Sequence, residues 1–181
     1  DTTTGEIILP PSVAQAVAGI DNFKIQENSD GSVNIRAGVP TEALSFGKIE
    51  GSGKTDGLLM YYQPISAKGN FEISGTITVN NYIKHSQVAF GAIISDNMKI
   101  DTNVSENYKY VSCGPFRVSD VGAVNPDTNE MINGVTSYAR VDGELQLGPR
   151  DLTEDLAPGT QIQVSIKKIG NKFTCTYNGT S

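Results

Sequence analysis

The sequence has no tryptophan, a single histidine and only two cysteines among its 181 residues. Each scarcity removes something. Without Trp, any aromatic platform for a ligand must come from the seven Tyr and six Phe. His85 has no Cys or second His at metal-ligand spacing, and neither do Cys113 and Cys175, which excludes a zinc site. The two cysteines sit in strand-like stretches and leave two readings open, a disulfide or a pair of buried thiols. Apolar runs are short, and none approaches the roughly 20 residues of a membrane-spanning helix, so membrane insertion is not expected. Basic residues are scarce too: 14 Lys and Arg against 20 Asp and Glu give a net charge of −6. The densest basic cluster is Lys167-Lys168 with Lys172, too little to neutralise a phosphate backbone. Nucleic acid and anionic membrane surfaces are therefore poor partners.

What is present points to strands. Hydrophobic residues make up 38%, and 19 Gly with 8 Pro supply turn punctuation. Thr, Val, Ile, Ser and Tyr recur, while amphipathic helical stretches are nearly absent. At most one short helix is expected, near residues 12–18, where Ser12 could act as N-cap and Gly19 as the stop.

From Phe23 onward the period is two. Asn28-Ser29-Asp30-Gly31 marks a hairpin, and Asp142-Gly143 and Gly170-Asn171 mark two more. In Phe71–Val79, the Phe71, Ile73, Ile77 and Val79 side chains share one face. Gln87–Ile94 is its counterpart, with Val88, Phe90, Ala92 and Ile94 inward. The small Ala89 and Gly91 on its other face predict close approach of a chain segment or a ligand. Ile162, Val164 and Ile166 complete the expected core. Further strands read at Leu44–Glu50, Leu58–Gln63, Tyr108–Cys113, Val135–Val141, Glu144–Leu147, Gln161–Lys168 and Lys172–Tyr177.

The expected fold is all-β, a two-sheet antiparallel jelly-roll sandwich, with residues 1–181 as one domain. Asn178-Gly179 is a hairpin signal with no strand after it, which leaves two readings, a partner strand beyond this sequence, the one favoured, or a frayed end. The opening Asp1-Thr2-Thr3-Thr4 reads as a processed end.

Several chemical motifs fail on inspection. Gly51-Ser52-Gly53-Lys54-Thr55 suggests a phosphate loop, but Lys48 stands where that motif needs glycine, and a strand rather than a helix follows. His85 has no Ser and acid at triad spacing. No strand carries the alternating paired carboxylates of a jelly-roll glycosidase, and Glu154-Asp155 are adjacent and would point apart. Asp101–Asn107 and the 125–133 loop carry oxygen ligands without the full calcium-loop pattern. A structural calcium held partly by carbonyls stays open.

Sugar sites on sandwiches stack rings on aromatic faces flanked by polar groups. Tyr108 and Tyr110 alternate along one strand and share a face, as do Tyr138 and Arg140. These four are the candidate ligand-binding residues.

The order of Phe46-Gly47-Lys48-Ile49, Asp56-Gly57-Leu58-Leu59-Met60-Tyr61-Tyr62, Asn70-Phe71-Glu72-Ile73-Ser74-Gly75 and Gln87-Val88-Ala89-Phe90-Gly91 carries a resemblance. It resembles the concanavalin A-like (laminin G-like) jelly-roll modules of large secreted Firmicute proteins, often found beside pectin-degrading lyases and esterases. The likeness covers residues 44–114 and rests on core and turn positions. Related modules continue into an Arg-Asp pair where this chain has Ser95-Asp96. The resemblance implies a secreted or cell-surface, non-catalytic carbohydrate-binding module. It would bind plant cell-wall polysaccharide and be covalently linked to neighbouring domains. Two other readings remain: a jelly-roll polysaccharide lyase, for which His85, Gln87, Arg117, Tyr138 and Arg140 are the needed types, and a structural or adhesion module.

Overall fold

A computed structural model describes residues 14–17, 24–37, 59–66, 68–81, 89–96, 109–116, 127, 133–142, 144–153 and 157–178. Within them the chain is all β. Eleven strands run in order: β1 (Ala14–Val17), β2 (Lys24–Glu27), β3 (Val33–Arg36), β4 (Leu59–Tyr62), β5 (Phe71–Val79), β6 (Ala92–Ser95), β7 (Tyr110–Phe116), β8 (Asn133–Val141), β9 (Glu144–Thr153), β10 (Thr160–Ile169) and β11 (Lys172–Tyr177). Every pairing among them is antiparallel.

Two of the sheets form the body. One has the order β11-β10-β5 and the other β6-β7-β8-β9. In the first, the period-two pattern sets the register: Ile162 lies opposite Ile77, and Ile166 lies between Ile73 and Cys175. Ile162 and Ile166 are fully buried, and Val79 and Val164 nearly so. Each side chain of this size stabilises the fold by about 1.5–3 kcal/mol on burial. Glu72, Ser74, Thr76 and Thr78 face solvent on the reverse side.

Phe90 and Ala92 come from the start of the second sheet and pack on Val79, Ile162 and Val164. The two sheets therefore meet face to face as a sandwich. The inward positions expected at Phe71, Ile73, Ile77, Val79, Phe90, Ile94, Ile162, Val164 and Ile166 are all buried or half-buried. Val88 lies outside the described residues.

A disulfide fastens the layers. Cys113 of β7 and Cys175 of β11 are bonded, with 5.5 Å between Cα atoms and 62 residues between them in sequence. Of the two readings open for the cysteines, this settles on the bridge. Closing a loop of that length restricts the unfolded chain by roughly 4 kcal/mol.

Local chemistry explains the connections. In the β2–β3 hairpin, Asn28 N–H donates to the Ser32 carbonyl at 2.8 Å. The Asp30 carboxylate accepts the Ser32 N–H at 2.9 Å and the Ser32 hydroxyl at 2.6 Å. Asp142 (φ 51°) and Gly170 (φ 59°) turn the other two predicted hairpins. The β8–β9 ladder slips between Thr136 and Tyr138, opposite Gly148-Pro149. A proline cannot donate to a ladder, and a bulge is where one is tolerated. Past that slip β9 runs on to Thr153, beyond the expected end at Leu147.

The one helix candidate does not form. Ala14–Val17 is not helical but a strand, paired with β4 so that Gln15 lies opposite Tyr61. A helix of seven or so residues gains too little from its own hydrogen bonds to resist a partner strand. The predicted strand at Leu44–Glu50 lies outside the described residues, as do the segments that would trace a jelly-roll winding.

Candidate functional site

The candidate site is the second face of the four-stranded sheet. Side chains alternate across a strand, and Cys113 reaches toward β11, so Tyr110 and Ser112 point the opposite way. Tyr110 lies in register with Ser95 and Arg140, and Ser112 with Ile93 and Tyr138. The ladder thus brings Tyr110, Tyr138 and Arg140 together on one face, away from the inter-sheet layer. Tyr108 lies outside the described residues.

The three are packed, not splayed. The rings of Tyr110 and Tyr138 meet edge to face, with centroids 5.9 Å apart and planes at 90°. This geometry sets a ring's positive edge against the other's negative face. Ala89, Ile93 and Leu145 pack against the pair. The Ser112 hydroxyl donates to the Ala92 carbonyl at 3.1 Å. Tyr110 is 2% exposed, Tyr138 5% and Arg140 0%. A guanidinium cannot shed its charge, so its burial demands that its N–H groups be met. Chemically, one fixed cation and two phenols form a donor set suited to carboxylate or hydroxyl oxygens. In the structure that set is covered.

The open side of Gly91 is explained by the chain itself. Gly91 lies against the backbone of Cys113 and Gly114, and Phe90 N–H donates to the Pro115 carbonyl at 3.2 Å. At the other end of β6, the Asp96 carboxylate accepts the Lys109 N–H at 2.8 Å, and the Ser95 hydroxyl donates to the Lys109 carbonyl at 3.3 Å. The Ser95-Asp96 pair thereby closes the β6–β7 connection.

Away from this face, Tyr61 of β4 donates its hydroxyl to the Glu27 carboxylate of β2 at 2.9 Å. That bond to an anionic acceptor holds the Tyr61 phenol above its ordinary pKa. Burial pushes the Tyr177 phenol up as well.

Among the described residues, no group of three His, Cys, Asp or Glu is placed to hold a metal ion. The phosphate-loop look-alike at Gly51–Thr55 lies outside them. So do His85, Gln87, Arg117, the Asp101–Asn107 segment and Glu154-Asp155. Of the 125–133 loop, Asp127 and Asn133 are described, and Asp127 is exposed. No described helix is long and apolar enough to cross a membrane.

No family model matches the chain, and no solved structure does either. A curated protein does. Over 157 residues the chain is 29% identical to pectate lyase L of Thermoclostridium stercorarium. The aligned region covers 85% of this chain but 10% of the lyase. What this chain resembles is a small part of a much larger protein.

Proposed function

We propose that this chain is a non-catalytic carbohydrate-binding module of a secreted polysaccharide-degrading protein, with plant cell-wall glycan of the pectin class as its ligand. One observation carries the reading: 85% of this chain aligns with a tenth of a pectate lyase. A sandwich that aligns with only a tenth of an enzyme fits an accessory domain better than a catalytic one. Such a domain raises the local concentration of its enzyme at the polymer. The inter-sheet disulfide supports an oxidising, extracellular setting. The concanavalin A-like jelly-roll likeness of residues 44–114 supports the same reading.

The ligand-contacting group on this reading is Tyr108, Tyr110, Tyr138 and Arg140. The last three are buried, so on this reading a sugar reaches them only as the groups packed against them shift. Arg140 would then offer its planar fork to a uronate carboxylate, and the phenols their faces and hydroxyls.

Calorimetry with polygalacturonate, methyl-esterified pectin, galactan and arabinan, each with and without calcium, tests the proposal. Saturable binding without release of unsaturated uronides is expected. Absence of binding to all four polymers overturns it, and steady release of unsaturated products assigns the chain to the lyases instead. Tyr138→Phe and Arg140→Lys preserve volume, and loss of about 1.5–3 kcal/mol in either would place the site on this face.

A further inference from the structure

The β2–β3 hairpin sorts its side chains by chemistry. Register partners share a face, so Lys24 lies opposite Arg36 and Gln26 opposite Asn34 on one side. Ile25 lies opposite Ile35 and Glu27 opposite Val33 on the other. All four residues of the polar side are exposed. Two cations facing each other across a ladder repel. They do so in a chain of net charge −6, where acids are plentiful.

The hairpin's own acids are committed elsewhere. Glu27, on the opposite face, accepts the Tyr61 hydroxyl at 2.9 Å. Asp30, at the tip, accepts the Ser32 N–H and hydroxyl. Among the described residues Lys109 pairs with Asp142 at 3.3 Å, and neither hairpin cation takes part in such a pair. Gln26 and Asn34 add amide donors beside the charges. Among the described residues, the Asn34 side-chain amide donates a long bond, 3.4 Å, to the Asn28 side-chain oxygen.

We propose that this face of the hairpin, formed by Lys24, Gln26, Asn34 and Arg36, binds an anionic polysaccharide through its uronate carboxylates. The inference rests on the reading of the chain as a glycan-binding module and adds a second contact surface, on a different sheet from Tyr110, Tyr138 and Arg140, that selects the charged polyuronate over its ester. The cross-strand spacing of about 5 Å puts both cations within reach of carboxylates on one polymer chain. Arg36 can grip a carboxylate with two parallel N–H bonds, whereas Lys24 acts as a point charge. The amides suit the hydroxyls between. A phosphate backbone is a poorer fit, because it needs a longer basic track and the rest of the chain is acidic.

The test uses the whole chain with de-esterified polygalacturonate, its fully methyl-esterified form and a DNA duplex, each at low and physiological salt. Lys24→Gln, Arg36→Gln, their combination and Lys24→Arg are compared, with circular dichroism confirming that each folds. In the double variant, affinity for polygalacturonate should fall about tenfold, with a flatter salt dependence. Binding of the esterified polymer should not change, and Lys24→Arg should behave as the unmodified chain. A double variant with undiminished affinity and salt dependence overturns the inference while leaving the binding-module reading intact. DNA binding as tight as polygalacturonate binding, lost in the same variants, overturns it in favour of a general polyanion patch. An unmodified chain that binds neither polysaccharide overturns this inference, and the module reading falls with it only when galactan and arabinan also go unbound.

Discussion

Gly91 and Gly114 face each other across the start of the β6–β7 ladder with no room for a side chain on either. A Cβ on Gly91 would fall on the Cys113 carbonyl, and one on Gly114 on the Phe90 carbonyl. Both obstacles are backbone, which cannot rotate aside. Gly91→Ala and Gly114→Ala should each destabilise the fold by more than about 1 kcal/mol. Gly75, in mid-strand, has nothing within 4 Å of its Cβ position. Gly75→Ala should therefore be neutral or stabilising by about 0.5–1 kcal/mol. Urea denaturation of the three variants checks the contrast, and equal losses in all three would contradict it.

The disulfide makes a second, larger contribution. Removing it as Cys113→Ala with Cys175→Ala should cost roughly 4 kcal/mol from the freed loop, and more from the emptied space at a fully buried position. Denaturation of the unmodified chain with and without reductant provides the same comparison. Identical midpoints would refute the estimate.

The Tyr61–Glu27 bond predicts a pH dependence with a definite sign. The folded-state value of the Tyr61 phenol is raised, so the bond is fully present below the ordinary phenol value of about 10 and is lost as pH climbs through the raised one. Ultraviolet titration should show a phenol ionising late. Glu27→Gln should bring that step back toward the ordinary value and leave the burial-shifted Tyr177 in place. A titration unaffected by the substitution would mean the bond does not form in solution.

Tyr138 is held by packing. Truncation to Ala should cost about 3–5 kcal/mol of stability, because a ring 5% exposed leaves a cavity against Tyr110. Tyr138→Phe keeps that edge-to-face contact and should retain most of the stability. Thermal melts of the two distinguish packing from polar loss, and a tolerated Ala would show the ring contributes little.

Much of the sandwich was legible because burial imposes period two. Phe71–Val79 and Lys172–Tyr177 have the same bounds in the sequence pattern and in the structure. The three turns could be read because Asp-Gly, Gly-Asn and Asn-Ser-Asp-Gly have few other uses. Ala14–Val17 misled because its small residues suit either state, and the partner that decides it is 45 or so residues away. The Tyr and Arg candidates could be paired by spacing along each strand. Their convergence on one face needed the β7–β8 register, and their burial depends on covering groups that spacing does not encode. Lys24 and Arg36 were invisible as a pair for the same reason. Twelve positions apart, they become neighbours only once the hairpin closes.

The position of Cys175 within β11 also sets how the domain bears tension. A pull on the chain beyond Tyr177 can peel only Tyr177 and Thr176 away from Val164 and Ser165 before the force reaches Cys175. From there the load passes through the sulfur atoms into Cys113, in a strand flanked by β6 and β8. A tether that would otherwise unzip an edge strand residue by residue instead pulls on the whole second sheet at once. On the proposed reading, a domain that holds an enzyme to a fibrous polymer under shear would keep its shape by that route.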